Sequence, residues 1–428
     1  MLENNVIVLG AGCAGLGAAF ELKKCNISSV IYEKNDVFGG LCRSFNLKGF
    51  TFDTFAHVNF SKNEYVMSLL ENTTPYITHV PEAMNYFHGF WVRNPVQNNL
   101  IGLPIKERIR IIKDFVSRNV NLSVHNYNDW LLKSYGHYFT EHYPSVYTRK
   151  YWTVPPDMLE WKWINNRMYT PTLEEILAGA MTKETPNVHY TREIHYPQKG
   201  GYMSFLRFLA SNVNINFNKK MIAIDIKEKI IKFSDGFEVS YDKIISTVPL
   251  PEFIDAITNS VPSDIKAAAK QLDYTSGVIV SIGLSCPNVS PSLWFYIYDE
   301  DIFPARVYAP NIKSPQNVPK DCSALQAEIY YSKYRPLSKS LEEIREDTVK
   351  QLVGMGLFNS KDVSVLDVRQ EKYANIMFTP NIYQARKKVR DYLKEYGIIT
   401  AGRFGEWDYL WTGDSILSGK NSIYEFLV

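Results

Sequence analysis

The apolar positions of this chain switch between two periods. Residues 6–9 (VIVL) are an unbroken apolar run ahead of glycine, the pattern of a strand buried on both faces. After Gly10-Ala-Gly12-Cys-Ala-Gly15, the residues Leu16, Ala19, Phe20 and Lys23 recur at helical spacing up to Lys24. Residues 29–32 (SVIY) then predict a second strand ending at Glu33. Strand, glycine turn, helix and strand within about 30 residues make a βαβ unit. The helical period returns at residues 105–118, which are basic on one side, and at 126–142, 172–181 and 338–354. Residues 222–248 alternate instead. IAIDI and KIIKF flank a Lys-Glu-Lys turn and FEVSY follows Ser234-Asp-Gly236, which predicts a β-meander; IISTV (244–248) predicts a buried strand closed by Pro249. Residues 278–284 and 324–330 alternate like strands, and residues 310–320, with three prolines, predict a surface loop between them. GIITA (397–401) predicts a last strand entering Gly402-Arg-Phe-Gly405. The first and last strands read as parts of one sheet, with other material inserted between them.

Composition narrows the class. The chain has 428 residues, 45% apolar and 21% charged, so it is neither disordered, fibrous nor a disulfide-stapled mini-protein. With 47 basic and 45 acidic residues the formal charge is +2, which gives no global field for nucleic acid or an anionic membrane. Five cysteines without a CxxC pair indicate neither a disulfide framework nor a zinc site. No run of about 18 uncharged apolar residues occurs. The expectations are a cytoplasmic protein with no membrane span, no metal and no nucleic-acid partner, of open oligomeric state. Cys13 and Cys42, beside glycine turns, read as packing residues.

The glycine turn carries the first chemistry. Gly10 makes the tight turn, Gly12 lets backbone approach a pyrophosphate, and Gly15 lets helix and strand pack closely. The helix N-terminus offers N–H groups to phosphates. Glu33, 18 residues past Gly15, is placed to accept a hydrogen bond from an adenosine ribose. A second glycine pair, Gly39-Gly40, follows six residues later with Arg43 as a phosphate partner, and lets a longer cofactor arm pass. Near the C-terminus a strand, the turn Gly402-Arg403 and a helix starting near Asp414-Ser415 would face the electron-rich end of a flavin. These features point to FAD rather than NAD, and no second GxGxxG marks a dedicated nicotinamide domain. The predicted fold class is α/β, with a discontinuous Rossmann-like FAD-binding domain (residues 1–75, 196–265 and 395–428). A helical domain (105–190) and a mixed β-sheet substrate domain (76–104 and 266–394) are inserted into it.

The ordered blocks across the chain resemble UDP-galactopyranose mutases, particularly their eukaryotic-type branch, within the amine-oxidase-like flavoproteins. The blocks are Gly39–Ser44, Gly49-Phe-Thr-Phe-Asp53, His57-Val-Asn-Phe60, Gln97-Asn-Asn99, Lys150-Tyr-Trp-Thr-Val-Pro-Pro156, Trp163 through Arg167, Pro197-Gln-Lys-Gly-Gly201, Ser246-Thr-Val-Pro249 and Gly402-Arg-Phe-Gly-Glu-Trp407. The resemblance implies an isomerase that interconverts the pyranose and furanose forms of a nucleotide-linked hexose, for cell-surface polysaccharide synthesis. Reduced flavin N5 would attack the anomeric carbon, expel the nucleoside diphosphate and carry the sugar as a covalent adduct while it reopens and recloses. NADPH or NADH would supply the electrons.

The resemblance also implies roles. Arg167 and Arg306 would clamp the diphosphate, a task suited to bidentate arginine. Tyr296 and Tyr409 would hydrogen-bond its phosphates, and His57 would lie near flavin N5. Gln97 would meet the base, Lys150 and Trp152 would form the sugar wall, and Asp414 would stand by the flavin tail. This chain departs from the family in three places. Phe55-Ala56 replaces two glycines before the histidine, which predicts a stiffer loop. Asn94 and Val96 replace bulky aromatics near Gln97, which predicts room for a thymine methyl and so a dTDP sugar such as dTDP-fucopyranose. Asn375 falls nearest a family tyrosine, with Tyr373 out of register. The competing expectation is an amine-oxidase-like FAD oxidoreductase taking hydride from its substrate.

Overall fold

The computed structural model describes residues 6–164, 167–189 and 191–425. A five-stranded parallel sheet is assembled from distant parts of the chain. The strand Val6–Leu9 lies between Ser29–Tyr32 and Lys243–Ser246, with Ile398–Thr400 and Ile215–Asn216 at the two edges. The strand Val6–Leu9 is wholly apolar because both faces of the sheet are covered, as parallel sheets require. The helix Cys13–Lys24 follows the first strand and packs closely on the C-terminal helix Thr412–Ser422; a Cβ at Gly419 would stand 1.9 Å from the Ala14 carbonyl oxygen.

A seven-stranded mixed sheet forms the second layer. Its longest buried strand, Tyr274–Leu284, pairs antiparallel with Ser323–Tyr331 on one side and with the edge strand Val363–Ile376 on the other. Arg306–Tyr308, Trp294–Ile297, Ala83–Phe87 and Phe90–Arg93 extend it. The third unit is helical, built on Ile105–Ser117, Tyr127–Tyr135, His137–His142, Pro144–Tyr151 and Leu173–Met181, with its own apolar core around Leu131, Tyr135 and Trp152. The mixed α/β architecture with one parallel and one large mixed sheet is the predicted fold class. Among the described residues no helix is long and apolar enough to cross a membrane.

Two local expectations are corrected. The helix expected over 126–142 is two helices, because Gly136 (φ +88°) breaks the turn, and a Cβ there would meet the Asp114 carboxylate at 2.4 Å. The predicted surface loop 310–320 holds a helical turn, Pro310–Lys313, and buries Lys313, Ser314 and Asn317. Proline starts a helix as readily as it marks a loop, and the Lys313 ammonium is held inside by Asp53 at 3.1 Å. The helix expected near Asp414-Ser415 spans Thr412–Ser422.

Candidate active site

A cavity of about 1070 Å³ runs along the C-terminal edge of the parallel sheet and on between the large sheet and the helical unit. That is at or above the upper end of ordinary small-molecule sites, roughly 300–1,000 Å³. Switch points at the carboxyl ends of parallel strands are where open α/β sheets bind ligands.

One end is a dinucleotide cradle. Gly10, Gly12, Gly39, Gly40, Arg43, Gly402, Arg403 and Ser415 all line it. Gly10 sits at φ +97°, and a Cβ there would stand 2.3 Å from Thr247 Oγ1; one on Gly15 would stand 1.8 Å from the Gly10 carbonyl oxygen, so these positions exclude any other residue. The first helix opens at Gly12 with no side-chain cap and no acid in its first turn, which leaves its N–H groups to a ligand. The Glu33 carboxylate is in the wall, oriented by hydrogen bonds from the Ala11 N–H (2.7 Å) and the Asn35 side chain (2.6 Å). Lys219 and Lys220 stand in the wall too. Arg43 pairs with Glu371 at 2.5 Å, and its Nε is buried with no partner. Open helix N–H groups, glycine turns, a ribose-height carboxylate and an orphaned guanidinium donor fit FAD.

His57 stands between this cradle and the rest of the cavity. Its Nδ1 lies 2.9 Å from the Phe55 carbonyl, which only accepts, so Nδ1 carries the proton. Burial works against a charged imidazole, but the Cys42 sulfur and Asp53 outweigh it, and the net pKa is raised. The stiffer segment before it is anchored at both residues. Phe55 stacks near Tyr330 with centroids 6.3 Å apart, and the Ala56 N–H donates to Glu328 at 2.7 Å.

At the far end Arg306 and Arg167 line the same cavity. The Arg306 Nε and Nη2 donate to Glu328 at 2.7 and 2.6 Å, and this fully buried carboxylate also accepts the Tyr330 hydroxyl at 2.7 Å. Arg167 lies over the rings of Tyr409 (4.4 Å) and Trp411 (4.8 Å) and donates to the Trp163 carbonyl at 2.7 Å, while its Nε is buried with no partner. Tyr296, Tyr409, Trp152, Gln97 and Asn375 complete this wall, with Gln97 bonded to the Tyr169 carbonyl at 3.0 Å and Asn375 accepting from the Tyr151 hydroxyl at 3.2 Å. Asn165 and Asn166, inside the block that ends at Arg167, lie outside the described residues.

Two predicted site residues stand elsewhere. Lys150 is absent from the cavity wall: Tyr147, Thr148, Tyr151 and Trp152 take that face of the helix, and the Lys150 ammonium donates to the Asp299 carbonyl at 2.7 Å. Burial, opposed by Asp299, lowers its pKa to about 7. Asp414 caps its own helix by accepting the Trp411 N–H at 3.1 Å, and Thr412 and Ser415 take its place in the wall. The expectation about Val96 also fails: Val96 is buried in the helical core and absent from the wall, whereas Asn94 and Pro95 are in it. Tyr373 and Asn375 both line the cavity, together with Glu371, Lys372 and Ala374 of the same strand. Sequence reasoning missed Glu328 and Lys313; a lone acid in the strand Ser323–Tyr331 was the available signal for the first.

A family model described as flavin containing amine oxidoreductase matches residues 13–422. A solved structure of reduced UDP-galactopyranose mutase superposes with a TM-score of 0.93 at 26% identity, over 100% of this chain and 94% of that one. A CLA-producing fatty acid isomerase from P. acnes shares the fold, with a TM-score of 0.67 at 13% identity over 100% and 99% of the two chains. An uncharacterized protein in the nifH2 3' region of Methanothermococcus thermolithotrophicus is 36% identical over 83 residues, 19% of this chain and 80% of that protein.

Proposed function

The chain belongs to the flavin containing amine oxidoreductases, and from that premise we propose that it is an FAD-dependent nucleotide-sugar mutase interconverting the pyranose and furanose forms of an NDP-hexose. The observation that carries this reading is that two arginines, Arg167 and Arg306, line the same cavity as the flavin cradle. A diphosphate carries about two negative charges that arginine forks clamp, and Arg167, whose Nε is buried with no partner, has a donor left to give; an oxidase of cationic amines gains nothing from arginines in its cavity. The likeness to UDP-galactopyranose mutase over the whole chain supports it.

The reduced flavin, charged by NADPH or NADH, supplies the nucleophile when bound. The protein's own residues do the rest. Arg306, held in place by Glu328, and Arg167, held over Tyr409 and Trp411, bind the diphosphate and stabilise it as it leaves and returns. Tyr296 and Tyr409 hydrogen-bond the phosphates, and Trp152 and Asn375 close the sugar pocket. Gln97 faces the base. His57, with its Nδ1 held by the Phe55 carbonyl and Cys42 beside it, lines the cavity next to the cradle that would hold the flavin. The sugar is galactose or its 6-deoxy analogue fucose, offered as UDP-galactopyranose or dTDP-fucopyranose.

The test is turnover of both sugars by chemically reduced and by oxidised protein. Furanose product from reduced protein alone is expected, and the faster substrate identifies the sugar. No product from either, with steady oxygen consumption on an amine, would overturn the reading in favour of an oxidoreductase. Arg306→Ala should lose more than about 2 kcal/mol of transition-state stabilisation, roughly 30-fold in kcat/KM.

A further inference from the structure

Cys13 and Cys42 belong to the two glycine turns of the cradle. Cys13 is the first residue of the helix Cys13–Lys24, and Cys42 closes the turn Gly40–Cys42. Both are buried against protein, yet both line the open cavity. Their sulfurs are 3.6 Å apart. The two turns are already joined at the backbone, where the Gly39 N–H donates to the Ala11 carbonyl at 2.8 Å. A disulfide bond is about 2.05 Å long, so closing it asks for about 1.5 Å of relative movement. Cys42 also has Thr412 Oγ1 at 3.8 Å and His57 beside it. The sugar chemistry proposed above uses neither sulfur.

We propose that Cys13 and Cys42 are a redox-active dithiol at the floor of the cofactor cradle, oxidised by exchange with a low-molecular-weight disulfide while the cradle is empty and shielded when a dinucleotide fills it. The Cys42 thiolate attacks one sulfur of RS–SR, forms Cys42–S–SR and releases RS⁻. Cys13 loses its proton to that thiolate and attacks the Cys42 sulfur, which closes Cys13–S–S–Cys42 and releases the second RS⁻ to take up a proton. Two electrons pass from the cysteine pair to the small disulfide, and two RSH leave. The order of attack follows from the surroundings. The hydrogen bond from Cys13 and the neighbouring His57 hold the Cys42 pKa well below that of an ordinary thiol, while the same bond to Cys42 and burial push Cys13 up. The proposal goes beyond the mutase reading and does not rest on it.

The test uses the full chain carrying Cys25→Ser, Cys286→Ser and Cys322→Ser, with the wild type in parallel, treated with oxidised glutathione and read by peptide mass spectrometry. An intramolecular Cys13–Cys42 link is expected in flavin-free protein, formed at least tenfold more slowly with FAD bound as followed by flavin absorbance. Adding Cys13→Ser should arrest the reaction at a glutathione adduct on Cys42. A Cys42 that forms neither link nor adduct in either background would overturn the proposal, as would a link that forms equally fast with FAD bound. A chain that links but never takes up FAD would refute the cofactor assignment and leave the dithiol standing.

Discussion

Glu328→Gln is the most informative single change, because one buried carboxylate serves four donor groups from three residues. Its Oε2 accepts from Arg306 Nε (2.7 Å), Arg306 Nη2 (2.6 Å) and Tyr330 OH (2.7 Å), and its Oε1 accepts from the Ala56 N–H (2.7 Å). Glutamine keeps the volume and one oxygen. That oxygen can still serve Ala56, but the amide nitrogen then faces the Arg306 fork, donor against donor. The guanidinium side chain is 20% exposed and its partner 0%, so the arginine is left largely buried with no counter-charge. Breaking one partner of a buried pair costs about 3–5 kcal/mol, and the residual exposure of Arg306 favours the lower figure, about 3 kcal/mol. Urea unfolding of flavin-loaded protein, followed by tryptophan fluorescence and circular dichroism, reads the loss where the two curves coincide. Adding Arg306→Met removes the stranded charge, so the double variant should be more stable than additivity predicts by about 1.5 kcal/mol or more. A Glu328→Gln protein within about 1 kcal/mol of wild type, or strict additivity, would refute the argument that the pair is electrostatically coupled.

Gly15→Ala should abolish flavin uptake, seen as loss of visible flavin absorbance in purified protein, since its Cβ would stand 1.8 Å from the Gly10 carbonyl oxygen in the phosphate turn. Lys150 keeps its proton in the unfolded chain up to its ordinary pKa, about 10.4, but in the folded protein only up to about 7. Between those values the unfolded state binds more protons, so stability rises with pH; Lys150→Met should lower that slope by about 1.4 kcal/mol per pH unit between pH 8 and 9, and an unchanged slope would show an accessible ammonium. Val96→Phe overpacks the helical core and should cost about 1–3 kcal/mol of stability while changing UDP and dTDP affinity equally, as calorimetric titration with each would show.

The parts legible in the sequence are those whose chemistry is local. Gly10, Gly12, Gly15 and Glu33 fall within one βαβ unit, and each is fixed by steric or hydrogen-bond demands inside it. The substrate end is different. On the strand Ser323–Tyr331, Gln326, Glu328 and Tyr330 alternate with Leu325, Ala327 and Ile329, a pattern that reads as one wet face and one dry one. Both faces are buried, because the polar face meets partners from 20 to 270 residues away: Arg306 on Glu328, and the Asp53 backbone on Gln326. Periodicity carries no information about such pairings. Lys150 was misplaced for a related reason. A helix position one step from the lining residues Tyr151 and Trp152 turns away from the cavity, and a matched motif does not fix its rotation.

These long-range pairings also decide how the histidine segment is held. Asp53 binds Lys313 (3.1 Å), the Tyr202 N–H (2.9 Å), Ser44 Oγ (2.7 Å) and Tyr196 OH (2.9 Å), and three residues later the Ala56 N–H is bound by Glu328. The stretch from Asp53 to His57 is therefore fastened at both ends to groups that are almost fully buried. Rotation of the His57 ring must break its 2.9 Å bond to the Phe55 carbonyl, and displacement of the backbone before it must break the 2.7 Å bond from Ala56 to the carboxylate that also orients Arg306. The backbone position of Ala56 and the guanidinium position of Arg306 thus share one carboxylate. The shared carboxylate is a restraint on this segment that no property of residue 56 itself reveals.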